Sequence, residues 1–88
     1  MYLLRRSEFA NLQPGEELLI QAGCPTADGP LAENKTVVVA AVDGFSFLTT
    51  EGDGFGACHS EGFVLKTGNT QEVALSDKAR QILDKLNL

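Results

Sequence analysis

Basic residues are nearly absent from the middle of this 88-residue sequence. Between Ser7 and Leu65, Lys35 is the only Lys or Arg against nine acidic residues, so this segment has a net charge of −8. Binding to nucleic acid needs clustered Lys and Arg that neutralise phosphates. The charge pattern therefore disfavours direct nucleic-acid binding. It favours a partner protein with a basic face, the alternative being an ordinary solubilising surface.

Long hydrophobic runs are also missing. The longest apolar run is Val37–Val42, far shorter than the roughly 20 residues of a membrane-spanning helix. The first residues, Met1–Arg6, lack the apolar stretch of a secretory signal peptide. We therefore expect a cytoplasmic protein that does not associate with membranes.

Cysteine and histidine are too few and too widely spaced for most metal or catalytic sites. Cys24, Cys58 and His59 are the only residues of these two types. Zinc sites usually contain Cys-x2–4-Cys or His-x3–5-His pairs, and neither spacing occurs. Because His59 is the only histidine, the sequence also gives no basis for predicting a Ser-His-Asp catalytic triad. We expect reduced thiols, no metal and no cofactor.

The adjacent pair Cys58-His59 nevertheless resembles an activated nucleophile, because an imidazole can deprotonate a thiol. If Phe55–Ser60 is a short strand, however, neighbouring side chains point to opposite faces of the sheet. We therefore predict a buried structural Cys58 beside a surface His59. A small thiol-dependent enzyme centred on Cys58 and His59 stays open as an alternative.

The glycine-rich run Gly52–Gly56 does not have the pattern of a phosphate-binding loop. It lacks the Lys-Ser/Thr pair, and its acidic neighbours Glu51 and Asp53 would repel phosphate. We interpret it as a mobile turn, or as a flexible binding loop with Phe55 as an exposed aromatic anchor.

Two hairpins are predicted from turn signals. Asp43-Gly44 separates the apolar runs Val37–Val42 and Phe45–Thr50, and Gly68-Asn69 separates Phe63–Thr67 from Thr70–Leu75. With a turn at Asp43-Gly44, three residue pairs of the first hairpin are predicted to lie on the core face: Val42–Phe45, Ala40–Phe47 and Val38–Thr49. The other face of this hairpin is also largely apolar, which favours a central position in the sheet or coverage by a partner.

The remaining segments complete the predicted secondary structure. Residues 2–6 read as a strand, and Ser7 caps a short helical turn through Asn11. Glu17–Ala22 is a strand or a helix, since its apolar run is too short for periodicity to decide. Residues 23–34 form a loop rich in Pro and Gly. Ser76 caps a final amphipathic helix whose apolar stripe consists of Ala79, Ile82, Leu83 and Leu86.

These elements together predict one small globular domain over residues 1–88 with an α+β fold. We expect a mostly antiparallel sheet of four to six strands, two hairpins, one C-terminal helix packed on the sheet and a short N-terminal helical turn.

The function predicted from these features is a small, acidic, non-enzymatic protein-binding module that is regulatory or inhibitory. A sharper variant is a phage-type inhibitor that masks the basic, nucleic-acid-binding surface of a partner protein. Either the 23–34 loop or the 51–62 segment is the binding surface. The candidate binding residues are Glu51, Asp53, Phe55, Glu61, Asp28 and Glu33. A structural subunit of a homo-oligomer, such as a homodimer, is the other alternative, because the first hairpin is apolar on both faces.

Overall fold

A computed structural model describes residues 1–86 of the chain. Its strands are β1 (Tyr2–Leu3), β2 (Glu16–Ile20), β3 (Lys35–Asp43), β4 (Ser46–Thr49), β5 (Gly54–Gly56) and β6 (Val64–Thr70). Its helices are a 3₁₀ helix (Arg6–Asn11), a single turn α1 (Ala57–Ser60) and α2 (Asp77–Leu86).

The strands form one six-stranded sheet in the order β1-β6-β2-β3-β4-β5, and every pairing is antiparallel. Strands β2 to β5 follow one another as a meander. The chain then passes through α1 and returns as β6 on the far side of β2. This architecture confirms the predicted α+β fold, including the C-terminal helix and the short helical turn near the N-terminus.

The hydrophobic core lies on one face of the sheet, between the strands, the 3₁₀ helix and α1. Phe9 of the 3₁₀ helix packs on Phe47 with ring centroids 6.0 Å apart, and Phe47 stacks on Phe55 at 5.5 Å. The other core residues are Leu4, Leu12, Leu18, Ile20, Cys24, Val37, Val39, Ala57 and Val64. A single aromatic cluster thus joins the 3₁₀ helix to the β4–β5 half of the sheet.

The β3–β4 hairpin forms as predicted, but its turn is displaced by one residue. Asp43 pairs with Ser46, so the two turn residues are Gly44 and Phe45. Gly44 has a φ of 59°, which glycine adopts without strain. Because Phe45 belongs to the turn, its side chain is 52% exposed and not part of the core.

A β-bulge explains why the predicted core face of β3 was wrong. Val39 pairs with Thr49 whereas Ala41 pairs with Leu48, so β3 carries one extra residue, Ala40. Before the bulge, Val37 and Val39 face the core in place of Val38 and Ala40. After the bulge the alternation is reversed, and Val42 packs against the core. The prediction was correct for Phe47 and Thr49, which are both buried.

The predicted hairpin at Gly68-Asn69 is wrong, because β6 runs straight through these residues. Glu16 of β2 pairs with Thr70 of β6, and Leu18 pairs with Lys66. Two residues along β2 therefore correspond to four along β6. Gly68, with a φ of 87°, lies in this bulge and not in a turn. Long-range pairing with β2 therefore overrides the local turn signal.

The N-terminal segment differs from the prediction in its cap. The 3₁₀ helix begins at Arg6, and the carboxylate of Glu8 accepts a hydrogen bond of 2.9 Å from the backbone N–H of Arg5. Ser7 therefore lies inside the helix and does not cap it. The ambiguous segment after Pro14 is the strand β2, which pairs on both sides with β3 and β6.

Helix α2 is capped as predicted, since Ser76 Oγ accepts a hydrogen bond of 3.1 Å from the N–H of Ala79. The apolar stripe is only partly covered: Ala79 is fully buried, Ile82 and Leu83 are half-buried, and Leu86 is 52% exposed. Within residues 1–86, no helix has both the length and the apolar character needed to cross a bilayer.

Candidate binding cleft

The loop between β2 and β3 is closed by its own backbone hydrogen bonds. Gly23 N–H donates to Leu31 O at 2.8 Å, and Leu31 N–H donates to Cys24 O at 3.0 Å. At the tip, Thr26 and Gly29 exchange two backbone bonds of 3.1 Å. The loop is therefore an ordered arm that projects from the core, where Cys24 is buried.

A cleft of about 450 Å³ separates this arm from the turn between β4 and β5. One wall is formed by residues 26–32 and the other by residues 52–55, with Lys35 and Lys78 also lining the cleft. The sequence left the 23–34 loop and the 51–62 segment as alternative binding surfaces. In the structure they face each other across one cleft.

A second depression of about 380 Å³ continues this cleft along β5. The two share Thr26 and Ala27 on the arm and Gly54 and Phe55 on β5. The second depression ends at His59 of α1. Together the two cavities form one groove along the edge of the sheet. From here on, the cleft means both cavities together with their walls.

Lys35 connects two of the predicted acidic site residues. Its Nζ lies 2.9 Å from Glu51 Oε2 and 3.2 Å from Asp53 Oδ2. The hydrogen bonds that the Lys35 ammonium donates to Glu51 and Asp53 raise the pKa of Lys35, because both carboxylates stabilise its charged form. Lys78 Nζ approaches Asp53 Oδ1 at 3.9 Å. Glu51 and Asp53 are therefore part of an ion-pair network and not a bare acidic patch.

The sequence reasoning missed Lys35 and Lys78 as cleft residues. The isolation of Lys35 within an acidic segment was the available signal. Only the fold brings Lys78, at the start of α2, next to Asp53.

The rim of the cleft keeps an excess of negative charge. Asp28 lines the cleft and is exposed, and Glu33 is exposed near the base of the same arm. The charged side chains that line the cleft, Asp28, Asp53, Lys35 and Lys78, balance in formal charge. Glu51, which bonds to Lys35, adds one negative charge beside them. Of the six predicted site residues, Asp28, Asp53 and Phe55 thus line the cleft. Glu51 bonds to Lys35 of its lining, and Glu33 follows Ala32 of one wall in the sequence.

Glu61 and the side chain of Phe55 are placed differently from the prediction. Glu61 lies near the 3₁₀ helix, where its carboxylate accepts a bond of 3.0 Å from the N–H of Arg6. Phe55 is only 5% exposed and stacks on Phe47. The prediction of an exposed aromatic anchor is therefore wrong. Strand alternation directs Phe55 into the core and leaves Gly54 and Gly56 on the opposite face.

Cys58 and His59 lie in the helical turn α1 and not in a strand. Both are exposed, so the prediction of a buried Cys58 is wrong, and Cys24 is the buried cysteine. Neighbouring residues on a helix do not face each other. Among residues 1–86 no hydrogen bond joins Cys58 to His59, and no cluster of three or more His, Cys, Asp or Glu side chains could hold a metal ion.

A second, apolar groove of about 270 Å³ lies between α2 and the outer face of the β3–β4 hairpin. Its apolar lining residues on the outer face include Ala41 and Leu48 of the hairpin and Ile82 and Leu86 of α2. The apolar outer face of the hairpin, noted in the sequence, is thus partly covered by α2 of the same chain.

Neither a family model, nor a curated protein, nor a solved structure matches this chain. Any functional inference therefore rests on the chemistry and geometry of the chain itself, and the cleft is the feature that offers both shape and charge.

Proposed function

We propose that this protein is a small non-enzymatic protein-binding module, regulatory or inhibitory, that takes a basic segment of a partner protein in the cleft. One observation carries the proposal: in a chain of net charge −5, the arm and the β4–β5 turn enclose a groove at which Asp28, Asp53 and Glu51 outnumber Lys35 and Lys78 by one charge. A Lys- or Arg-containing segment complements such a rim, and the attraction speeds association and discriminates against acidic partners.

The engagement of the charged groups supports binding over catalysis. Lys35, Glu51 and Asp53 are held by one another at 2.9 to 3.2 Å, so they form a fixed electrostatic surface. A catalytic acid or base needs a free position within hydrogen-bond reach of its substrate. The pairing of these three side chains instead suits recognition of charge.

The proposal places the protein in the cytoplasm. Cys24 and Cys58 are both free thiols, which is typical of a reducing compartment. A clustered basic surface is characteristic of proteins that bind nucleic acid. Masking of such a surface is the sharper variant of the proposal, and it is supported by the negative charge of the chain between Ser7 and Leu65.

A site-specific photo-crosslinking experiment tests the location of the binding site. A benzophenone amino acid replaces Ala27, which is exposed on the cleft side of the arm, in protein expressed in the native host. We expect one discrete protein to be crosslinked at Ala27. The matched control is Ala10, another exposed alanine, on the 3₁₀ helix. Equal crosslinking at both positions, or none at Ala27, contradicts the proposal.

Charge reversal tests the chemistry of recognition with the partner captured in this way. The double variant Asp28→Lys with Glu33→Lys should bind at least about tenfold more weakly, whereas Glu72→Lys should stay within about twofold. Raising the salt from about 0.01 M to 0.15 M should weaken wild-type binding, since the screening length falls from about 30 Å to about 8 Å. Binding that is insensitive to salt and to the double variant would refute recognition by charge.

A further inference from the structure

Strand β5 lies at the edge of the sheet, and its pairing with β4 fixes which backbone groups are free. Thr49 N–H donates to Asp53 O at 2.8 Å, and Ala57 N–H donates to Phe45 O at 2.9 Å. In an antiparallel pair, hydrogen-bonded residues alternate with residues whose backbone groups point away. Phe55, opposite Phe47, therefore bonds to β4, while the N–H and C=O of Gly54 and the N–H of Gly56 point to the open edge. The C=O of Gly56 belongs to the N-cap of α1.

Gly54 is not required by the fold of the chain. Its φ lies outside the left-handed region, and a Cβ atom at this position would meet no atom within 4 Å. Glycine inside a strand costs stability relative to residues with a side chain, and it often marks a place where another backbone approaches closely. Gly54 lines the groove along β5 and also the apolar groove beside α2, so its backbone is open on both sides.

The opposite wall of that groove is positioned to hold an extended chain. Thr26 and Ala27 on the arm face Gly54 and Phe55, so the space beside the free backbone groups is bounded on both sides. A strand needs only about 5 Å of separation from its neighbour. The two outward-facing glycines are two residues apart, about 7 Å along the strand, which matches a partner segment of three to five residues.

We propose that an extended segment of the partner protein adds to the sheet as a seventh strand, hydrogen-bonded to Gly54 and Gly56. This inference rests on the proposed function and names its binding mode. Backbone bonds along β5 supply affinity, and a basic side chain of the added strand lies toward Asp28 and Asp53 at the charged end of the cleft.

Charge selects a basic partner over a second copy of the chain. Pairing β5 with β5 of another copy would bring two chains together, each with a net charge of −5 and an excess of negative charge at the cleft. Like charges across an interface disfavour association. A partner segment rich in Lys or Arg carries charge complementary to the cleft. It offers the same backbone N–H and C=O groups for pairing as β5 of a second copy.

The test uses a peptide selected on the wild-type protein from a random library of 12-residue peptides. Gly54→Pro removes the outward N–H, and a proline is tolerated at an edge strand where the N–H faces away from the sheet. Gly54→Ala keeps the N–H and adds a Cβ in open space, so it is the matched control. We expect Gly54→Pro to weaken peptide binding at least about tenfold and Gly54→Ala to change it by less than about threefold.

Amide hydrogen exchange provides a second measurement on the unmodified protein. In the free protein the amides of Gly54 and Gly56 should exchange fast, and the peptide should protect both, while the amide of Phe55 stays protected throughout. This readout decides the question if Gly54→Pro fails to fold. An absence of any selected peptide, or of protection at both glycines, overturns strand addition.

The outcomes separate this inference from the proposed function. Crosslinking at Ala27 without protection of Gly54 and Gly56 leaves the cleft as a binding site and refutes strand addition. A lack of crosslinking at Ala27 refutes both. A wild-type protein that sediments as a dimer, with both glycine amides protected before peptide is added, identifies a second copy as the occupant and overturns the inference.

Discussion

The two faces of the sheet are covered in very different ways. On the core face, the 3₁₀ helix and α1 close over a cluster in which Phe9, Phe47 and Phe55 are almost completely buried. On the outer face of the β3–β4 hairpin, α2 buries Ala79 fully but leaves Leu86 half exposed beside an open apolar groove. The 3₁₀ helix has 6 residues and α2 has 10, so the longer helix is the less buried one. Helix length therefore does not explain the contrast in burial.

From this difference we expect burial, and not helical regularity, to determine which parts of this protein are most stable. The 3₁₀ helix has the poorer internal hydrogen-bond geometry, yet it contributes a large aromatic side chain to the core. Helix α2 is attached mainly at its first turn, where Ser76 N–H donates to Thr50 O at 2.8 Å. We therefore expect α2 to open locally at a lower free energy than the sheet and the 3₁₀ helix.

The largest expected effect is the loss of the aromatic cluster. Phe9→Ala removes a fully buried side chain that contacts Phe47. We expect the free energy of unfolding to fall by about 3–5 kcal/mol, measured by urea denaturation. Phe45→Ala is the control, because Phe45 is exposed in the hairpin turn, and it should cost less than about 1 kcal/mol. Similar losses for the two variants would remove the contrast between the faces.

A smaller effect is expected where α2 meets the β4–β5 turn. A Cβ at Gly52 would lie 2.8 Å from Lys78 Cγ and 3.1 Å from the Ala79 nitrogen, and the φ of Gly52 is 97°. Gly52→Ala should therefore destabilise the protein by about 1–3 kcal/mol and accelerate amide exchange throughout α2.

Gly29→Ala is the matched control for this steric effect. Gly29 has a similar φ of 101°, but a Cβ there would meet nothing within 4 Å. Gly29→Ala should lower the free energy of unfolding only through the positive φ of its backbone. Amide hydrogen exchange in α2 should be unchanged. Equal acceleration of α2 exchange by the two variants would show that contact with Gly52 does not hold the helix.

The cap of α2 should have a still smaller and strictly local effect. Ser76→Ala removes the hydroxyl that accepts the N–H of Ala79, and we expect a loss of about 1 kcal/mol. Amide exchange should accelerate in α2 and not in β2. Ser7→Ala, which removes a hydroxyl that caps no helix, serves as the control. A loss of protection in β2 would show that α2 and the sheet unfold as one unit.

The smallest expected effect concerns pH and the 3₁₀ helix. Hydrogen bonds from the N–H of Arg5 and from the Tyr2 hydroxyl lower the pKa of the Glu8 carboxyl below its ordinary value. The stabilisation by ionised Glu8 is therefore present above the pKa of the unfolded chain and is lost as the pH falls through the lower folded value.

This linkage has a direct measurement. In an NMR titration, the Glu8 carboxyl should have its midpoint below the value of about 4.3 that is typical of glutamate in peptides. Glu8→Gln should make the loss of stability between pH 7 and pH 3 less steep, and Glu72→Gln serves as a comparison for simple removal of a charge. An ordinary midpoint for Glu8 would show that the cap of the 3₁₀ helix does not form in solution.

Predictions from the sequence succeeded where neighbouring residues decide the structure. Ser76 and the apolar stripe of α2 were identified from a cap signal and a periodicity that act within one helix. The 23–34 loop followed from its Pro and Gly content, and the β3–β4 hairpin from the apolar runs on either side of Asp43-Gly44.

The errors in the sheet arose where a distant segment decides, whereas the wrong cap at Ser7 is a local error, because Glu8 accepts the N–H of Arg5 three residues away. Gly68-Asn69 has a strong local turn signal, yet pairing of β6 with β2 keeps the strand continuous and confines Gly68 to a bulge. The bulge at Ala40 changed the core face of β3 for the same reason, because matching two strands over their whole length outweighs regular alternation in one of them.

The sequence by itself thus determined the α+β class, the capped final helix and the acidic character of the middle of the chain. These properties depend on composition and on contacts between near neighbours. The tertiary structure alone decided that Phe55 is buried, that Lys35 pairs with Glu51 and Asp53, and that the arm and β5 form one cleft. Each of these three features depends on segments that are distant in sequence and that come together when the core is buried. A local sequence pattern contains no information about which distant segments will meet.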